Sequence, residues 1–173
     1  MPISDYLRTL RARVGTSLLV VPSVTGLVFD DDGRVLLVRH ANGGVWLLPG
    51  GAIDPDEAPQ DAVVREVWEE TGLHVEPIAL CAVLGGPEFR VRYENGDETS
   101  YVMALFECRR LGGVLRADQE ETLDARYFAA ADLGTVVLSR WAQIVVPRLM
   151  SPAQRRWIPP VTWQPPIAGA ASR

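Results

Sequence analysis

LPGGAIDPDEAPQDAVVREVWEETGL, residues 48–73, holds a complete loop-to-helix unit, and the rest of the chain is read outward from it. Two adjacent glycines, Gly50 and Gly51, follow a proline and allow backbone angles and close approaches that side chains forbid. Asp54 or Asp56 is available as a cap, Pro59 suits a first helical turn and Gly72 ends the pattern, which predicts a helix over 58–71. On that helix Glu66, Glu69 and Glu70 are spaced i, i+3, i+4 and share one arc of roughly 100°. Val63, Val64, Val67 and Trp68 point largely elsewhere and are expected to form the packing face. Such an arc also reads as a solvated acidic face. Three like charges this close repel one another, however, and late in a helix they oppose its dipole. A hard cation removes that penalty, and oxygen-only donors select Mg²⁺, Mn²⁺ or Ca²⁺.

Upstream, Leu18 to Phe29 is rich in β-branched residues, Asp30 to Gly33 supplies turn chemistry and Arg34 to Arg39 resumes a strand, which predicts a hairpin. Val45 to Leu48 is a brief strand. Residues 4–14 carry Tyr6, Leu7, Leu10 and Val14 at helical spacing behind a cap at Ser4 or Asp5. Downstream, strand character returns at Ile78 to Leu84 and Phe89 to Tyr93. Asn95-Gly96 predicts a primed turn into a strand from Ser100 to Cys108. A strand from Asp124 to Phe128 and a helix from Ser139 to Leu149 complete an α/β or α+β layered domain rather than a doubly wound parallel sheet.

Residues 1–150 are expected to form one domain, including the leading helix. The tail, 151–173, contains Pro152, Pro159, Pro160, Pro165 and Pro166, which favour extended geometry. Trp157, Ile158, Val161 and Trp163 would expose much apolar area if free, so this tail is expected to dock on its own domain or on a partner subunit.

Hydrophobic residues at 47% and charged residues at 23% are ordinary for a globular protein and exclude disordered, collagen-like and coiled-coil classes. Cys81 and Cys108 sit in apolar runs and read as core thiols, making neither a disulfide framework nor a zinc pattern. The charged opening residues lack a secretory apolar stretch, and no run reaches the roughly 20 residues of a membrane span, so a cytoplasmic protein without a membrane partner is expected. The net charge is −5 and the basic residues are scattered, which argues against a stable nucleic-acid partner. All 17 basic residues are arginine, so lysine Schiff-base chemistry and a lysine-bearing phosphate loop are both excluded.

The wider spacing is Gly51, five residues, Glu57, seven residues, Arg65-Glu66-Val67, one residue, Glu69-Glu70, one residue, Gly72-Leu73. It resembles the signature of the Nudix hydrolases, with every defining position filled and Leu-Pro-Gly-Gly before it; Asp56 departs from the pattern by standing where relatives usually carry glycine. The resemblance implies an α/β/α sandwich with a central mixed β-sheet. It assigns Glu66, Glu69, Glu70 and the Gly51 carbonyl to one to three Mg²⁺ ions, with Mn²⁺ as an alternative, and makes Glu57 and Arg65 a supporting pair. Glu66 or Glu69 is the simplest general base, while the family's occasional use of a loop base points to Glu120 or Glu121, in a segment that equally reads as a solvated turn.

The implied activity is cleavage of a diphosphate linkage in a nucleoside diphosphate joined to another moiety, by water attack on phosphorus. A catalytically silent nucleotide sensor would be expected to have lost glutamates, and none is missing; an isoprenoid diphosphate isomerase calls for a cysteine near the site. Trp46, Phe89, Tyr93 and Tyr101 are candidates to stack on a base, and Arg39, Arg90 and Arg92 to meet phosphates or a sugar acid. The alternation of Phe89, Val91, Tyr93 with Arg90, Arg92, Glu94 also reads as a plain half-buried strand. His40 and His74 have no ligand spacing. The leading helix and the tail supply surface for a homodimer, typical of relatives.

Overall fold

The computed structural model describes residues 4–41 and 43–162. Helix α1 (Asp5–Val14) is followed by strands β1 (Leu19–Val28), β2 (Val35–His40) and β3 (Trp46–Leu47). Helix α2 (Pro59–Thr71), strands β4 (Leu73–Leu84), β5 (Arg90–Arg92), β6 (Glu98–Gly113) and β7 (Thr122–Phe128), and helix α3 (Arg140–Leu149) complete the order. Among the described residues no helix is long and apolar enough to cross a membrane.

Two sheets result. In the mixed four-stranded sheet, β6 pairs in parallel with β1 along one edge and antiparallel with β4 and β5 along the other. The second sheet is antiparallel, in the order β3-β2-β7. Side chains alternate between two cores because successive strand residues face opposite ways. Leu36 joins Val24, Val28, Val63 and Val67 under α2, while Val35 and Leu37 join Leu27, Leu105, Val145 and Val146 under α3. The layering is therefore helix, sheets, helix, as the α/β reading with a mixed sheet requires.

Four local expectations need correction. The turn at Asp30 to Gly33 forms, with the Asp30 N–H on the Arg34 carbonyl and the Asp30 carboxylate accepting from the Asp32 and Arg34 N–H groups. The flanking strands do not make a hairpin beyond a single Phe29–Val35 bridge. From Val24 to Val28 every residue of β1 is buried, with Val24 and Val28 facing the α2 side and Leu27 the α3 side, so the strand sits between two layers and pairs in parallel with β6 while β2 joins β3 and β7. Neither Asp54 nor Asp56 caps α2: the N-cap is Ala58, without a side-chain bond. At 93–97 only Gly96 takes positive φ, and the Asn95 side chain accepts the Asp97 N–H, so this is not a primed turn. Trp68, expected on the packing face, is 47% exposed.

Ser4, one of the two caps expected for α1, and Ser139, expected as the first residue of its helix, each accept an N–H from the first turn. Asp56 sits at φ 64, a left-handed conformation that aspartate tolerates better than most residues, which explains why it can occupy a glycine position. Past α3, Arg155 pairs with Glu107 at 2.8 Å and lies over the Phe29 ring, and the Trp157 N–H donates to the Cys81 carbonyl. Trp157 packs against the α3-side core, whereas Ile158 and Val161 stand 91% and 86% exposed. Trp163, Pro165 and Pro166 lie outside the described residues.

Candidate active site

The glycine loop is fastened to β1 before the helix begins. Val24 N–H donates to the Gly51 carbonyl, Gly26 N–H to the Pro49 carbonyl and Ile53 N–H to the Pro22 carbonyl. The Gly51 carbonyl therefore spends one lone pair on the strand and keeps the other. A Cβ at Gly51 would lie 2.5 Å from the nearer oxygen of Glu66, so glycine there lets the carboxylate rest directly on the backbone. The Gly50 N–H donates to Glu70 Oε2 at 2.9 Å.

Arg65 ties loop to helix. Its Nε and Nη2 grip Glu57 bidentately at 2.7 and 2.8 Å, and Nη2 also reaches the Ala52 carbonyl. Its Nη1 donates to Glu66 at 2.8 Å and to Glu69 at 3.1 Å. The guanidinium beside Glu57 holds that carboxyl below its usual range and raises its own pKa in return.

Glu66 and Glu70 are only 7% and 3% exposed. Burial pushes Glu66 up to about 7, against the pull of Arg65, with Glu69 and Glu121 adding to the rise. Burial likewise pushes Glu70 well above its ordinary value, and the charges of Glu66, Glu121 and Asp118 push the same way, opposed by the Gly50 N–H. Among the described residues no three acidic, histidine or cysteine side chains already converge at ion-binding distances. The donor set still fits a hard cation: Glu66, Glu69 and Glu70 offer oxygens only, two of them buried at an electrostatic cost that positive charge would offset. Arg65 supplies part of that charge through one oxygen each of Glu66 and Glu69.

Glu120 and Glu121 reach the site on a preformed loop. Asp118 Oδ1 accepts the backbone N–H groups of Glu120, Glu121 and Thr122, and Gln119 takes φ 67 to make the turn. The Ala41 N–H closes the loop on the Glu121 carbonyl.

Glu66, Glu70, Glu120 and Glu121 line a cleft of about 980 Å³. Arg90, Arg92 and Tyr93 line it too, and Tyr93 shares a 2.6 Å hydroxyl contact with Tyr101 on β6. Arg39 and Trp46, paired across β2 and β3, do not line it. Trp46 is a core residue, edge-on to Phe128 with Arg126 over its ring, and Phe89 is buried against Trp141. His40 does line the cleft. Sequence reasoning missed Arg11, Trp141 and Asp118. Only Asp118 had a local signal, an aspartate opening a polar turn, and nothing near Arg11 or Trp141 in the chain announces a cleft wall.

The fold and this loop–helix unit define the class, and residues 20–149 match the family model described as the NUDIX domain. The chain belongs to the Nudix family. It is 45% identical over 100 residues to a MutT-like protein of Streptomyces ambofaciens, covering 58% of each chain. It is 34% identical over 118 residues to the human 8-oxo-dGDP phosphatase NUDT18, covering 65% of this chain and 33% of that one. The aligned region thus spans between a third and three-fifths of these two relatives' length. A crystal structure of a UDP-X diphosphatase matches with TM-score 0.65 at 23% identity, over 91% of this chain and 75% of that one, a likeness of fold.

Proposed function

We propose that this protein is a divalent-cation-dependent hydrolase that splits a diphosphate linkage in a nucleotide-type substrate. The observation that carries the reading is the burial of Glu66 and Glu70 against the glycine loop at the floor of a cleft deep enough for a nucleotide. The relatives named for action on nucleotide phosphates support the substrate type.

Glu66, Glu69, Glu70 and the free lone pair of the Gly51 carbonyl would hold Mg²⁺ or Mn²⁺, in one to three ions. When bound, the cation screens substrate phosphates from the carboxylates and acidifies water. Arg65 keeps Glu66 and Glu69 oriented while gripping Glu57. Arg90 and Arg92, on the cleft wall, are suited to phosphate oxygens. A carboxylate takes the proton of the attacking water: Glu66 or Glu69 from the helix, or Glu121 or Glu120 from the opposite loop. The water oxygen bonds to phosphorus, the bridging P–O bond breaks, and the bridging oxygen leaves on the second phosphate.

The test is a panel of nucleotide diphosphate compounds with Mg²⁺ or Mn²⁺, with products identified by mass. Glu70→Gln and Glu66→Gln are expected to lower turnover about a hundred- to a thousand-fold or more with the fold retained. Full activity in either variant removes that residue from the site. Tight nucleotide binding without any product would replace the hydrolase with a sensor.

A further inference from the structure

A second concavity, of about 330 Å³, adjoins the cleft and is lined by Trp68, Glu69, Arg116, Asp118 and Glu120. Glu120 lines both spaces, so the two meet at the carboxylates read above as the reacting centre. Two features make this pocket more than a dip between acidic loops.

The first is Trp68. It is the one aromatic side chain of α2, and it stands 47% exposed while Val63 and Val67 of the same helix are buried. It offers a flat apolar face beside Glu69, where packing has no use for it. The second is Arg116. Its backbone N–H donates to the Thr71 carbonyl, and its stem crosses Gly72, where a Cβ would come within 2.9 Å of Arg116 Cγ and 3.1 Å of Nε. Gly72 thus serves twice, as the left-handed helix cap at φ 68 and as the gap through which Arg116 is led into the pocket. Among the described residues Arg116 forms no ion pair, although three carboxylates line the same pocket.

We propose that this pocket is a second substrate site, taking the ring of the outer moiety of a two-headed substrate: a nucleoside diphosphate whose distal phosphate carries a sugar or a second nucleoside. Resting on the hydrolase reading, it divides the substrate at Glu69 and Glu120, with the nucleoside in the large cleft and the outer ring on Trp68. The indole face stacks on the ring, and Arg116 donates to its hydroxyls or its phosphate. Its volume suits one ring, being at the low end of ligand pockets, about 300 Å³. Hydrolysis of such a substrate adds one water across the P–O–P bridge and yields two phosphomonoesters. A nucleoside triphosphate presents no outer ring and leaves the pocket unused.

The experiment measures kcat and KM of the full chain with Mg²⁺ on ADP-ribose, diadenosine diphosphate and ATP. The wild type is expected to prefer at least one two-headed compound over ATP in kcat/KM. Trp68→Ala and Arg116→Gln are expected to shrink that preference roughly ten-fold, chiefly through KM, the size of effect expected for losing one stacked ring. Trp68→Phe should keep most of it. Because Trp68 is half out of the core, the variants should melt close to wild type, which circular dichroism checks. A wild type that favours ATP, or variants that scale all three substrates alike, overturns the second site while leaving the hydrolase reading standing. Turnover of none of a broad nucleotide panel removes both.

Discussion

Arg65 concentrates more of the site's order than any glutamate does. One guanidinium meets Glu57, Glu66, Glu69 and the Ala52 carbonyl, a fan of bonds that requires a planar fork. Arg65→Lys keeps the charge but gives one short-reach ammonium. It is expected to lower stability by about 1–2 kcal/mol and turnover at least ten-fold, read by urea midpoint and initial rates. Glu66 gives a prediction of the opposite kind. Its folded value of about 7 lies above its ordinary 4.5, so the protonated carboxyl stabilises the metal-free fold fully below 4.5, and that contribution is lost as pH rises through 7. The shift corresponds to on the order of 3 kcal/mol. Metal-free protein should therefore melt lower at pH 8 than at pH 5.5, and millimolar Mg²⁺ should restore the difference. Equal melting temperatures at the two pH values would remove the buried carboxylate as their cause. Glu57, depressed by Arg65, acts in the other direction, its stabilisation disappearing only as pH falls below 4.5.

Among the elements, α1 depends on Arg11. Its two Nη atoms donate to the Gly15 and Ser17 carbonyls on one side and to the Glu98 carbonyl and Thr99 hydroxyl on the other, so the helix is bolted to the start of β6. Arg11 and Leu7 line the cleft from there. Arg11→Ala should lower stability by about 1–2 kcal/mol and raise KM several-fold with kcat nearly kept, since it loosens a wall rather than the carboxylates. An unchanged KM would separate α1 from substrate binding. Helix α2 was legible in the chain because its evidence is local: Pro59 at its start, Gly72 at its end and valines at helical spacing. The facing of Trp68 was not legible, since 40° separates it from half-buried Val64 and only the packed neighbours decide which of the two is covered. The β1–β6 pairing was hidden because the strongest nearby turn, at Asp30, suggests the wrong partner. The Asp118 loop was hidden because a glutamine in the left-handed region at 119 gives no signal in a sequence.

For the whole molecule, the segment after α3 closes the side opposite α2. Arg155 reaches Glu107 and the Phe29 ring, and Trp157 lies under Arg148 and against the core. Ending the chain at Met150 should lower stability by about 2 kcal/mol, seen as a lower melting temperature with the nucleotide cleft intact. Unaltered melting would mean the segment contributes no net stability. Strand β6 is the spine on which β1, β4 and β5 all assemble, and the partners Leu19 and Thr99 are eighty residues apart in the chain. During synthesis, then, the amino-terminal strand leaves the ribosome long before its mate exists. Until residue 113 has emerged, its apolar edge is open to other nascent chains, and this interval is when the newborn protein most needs a chaperone.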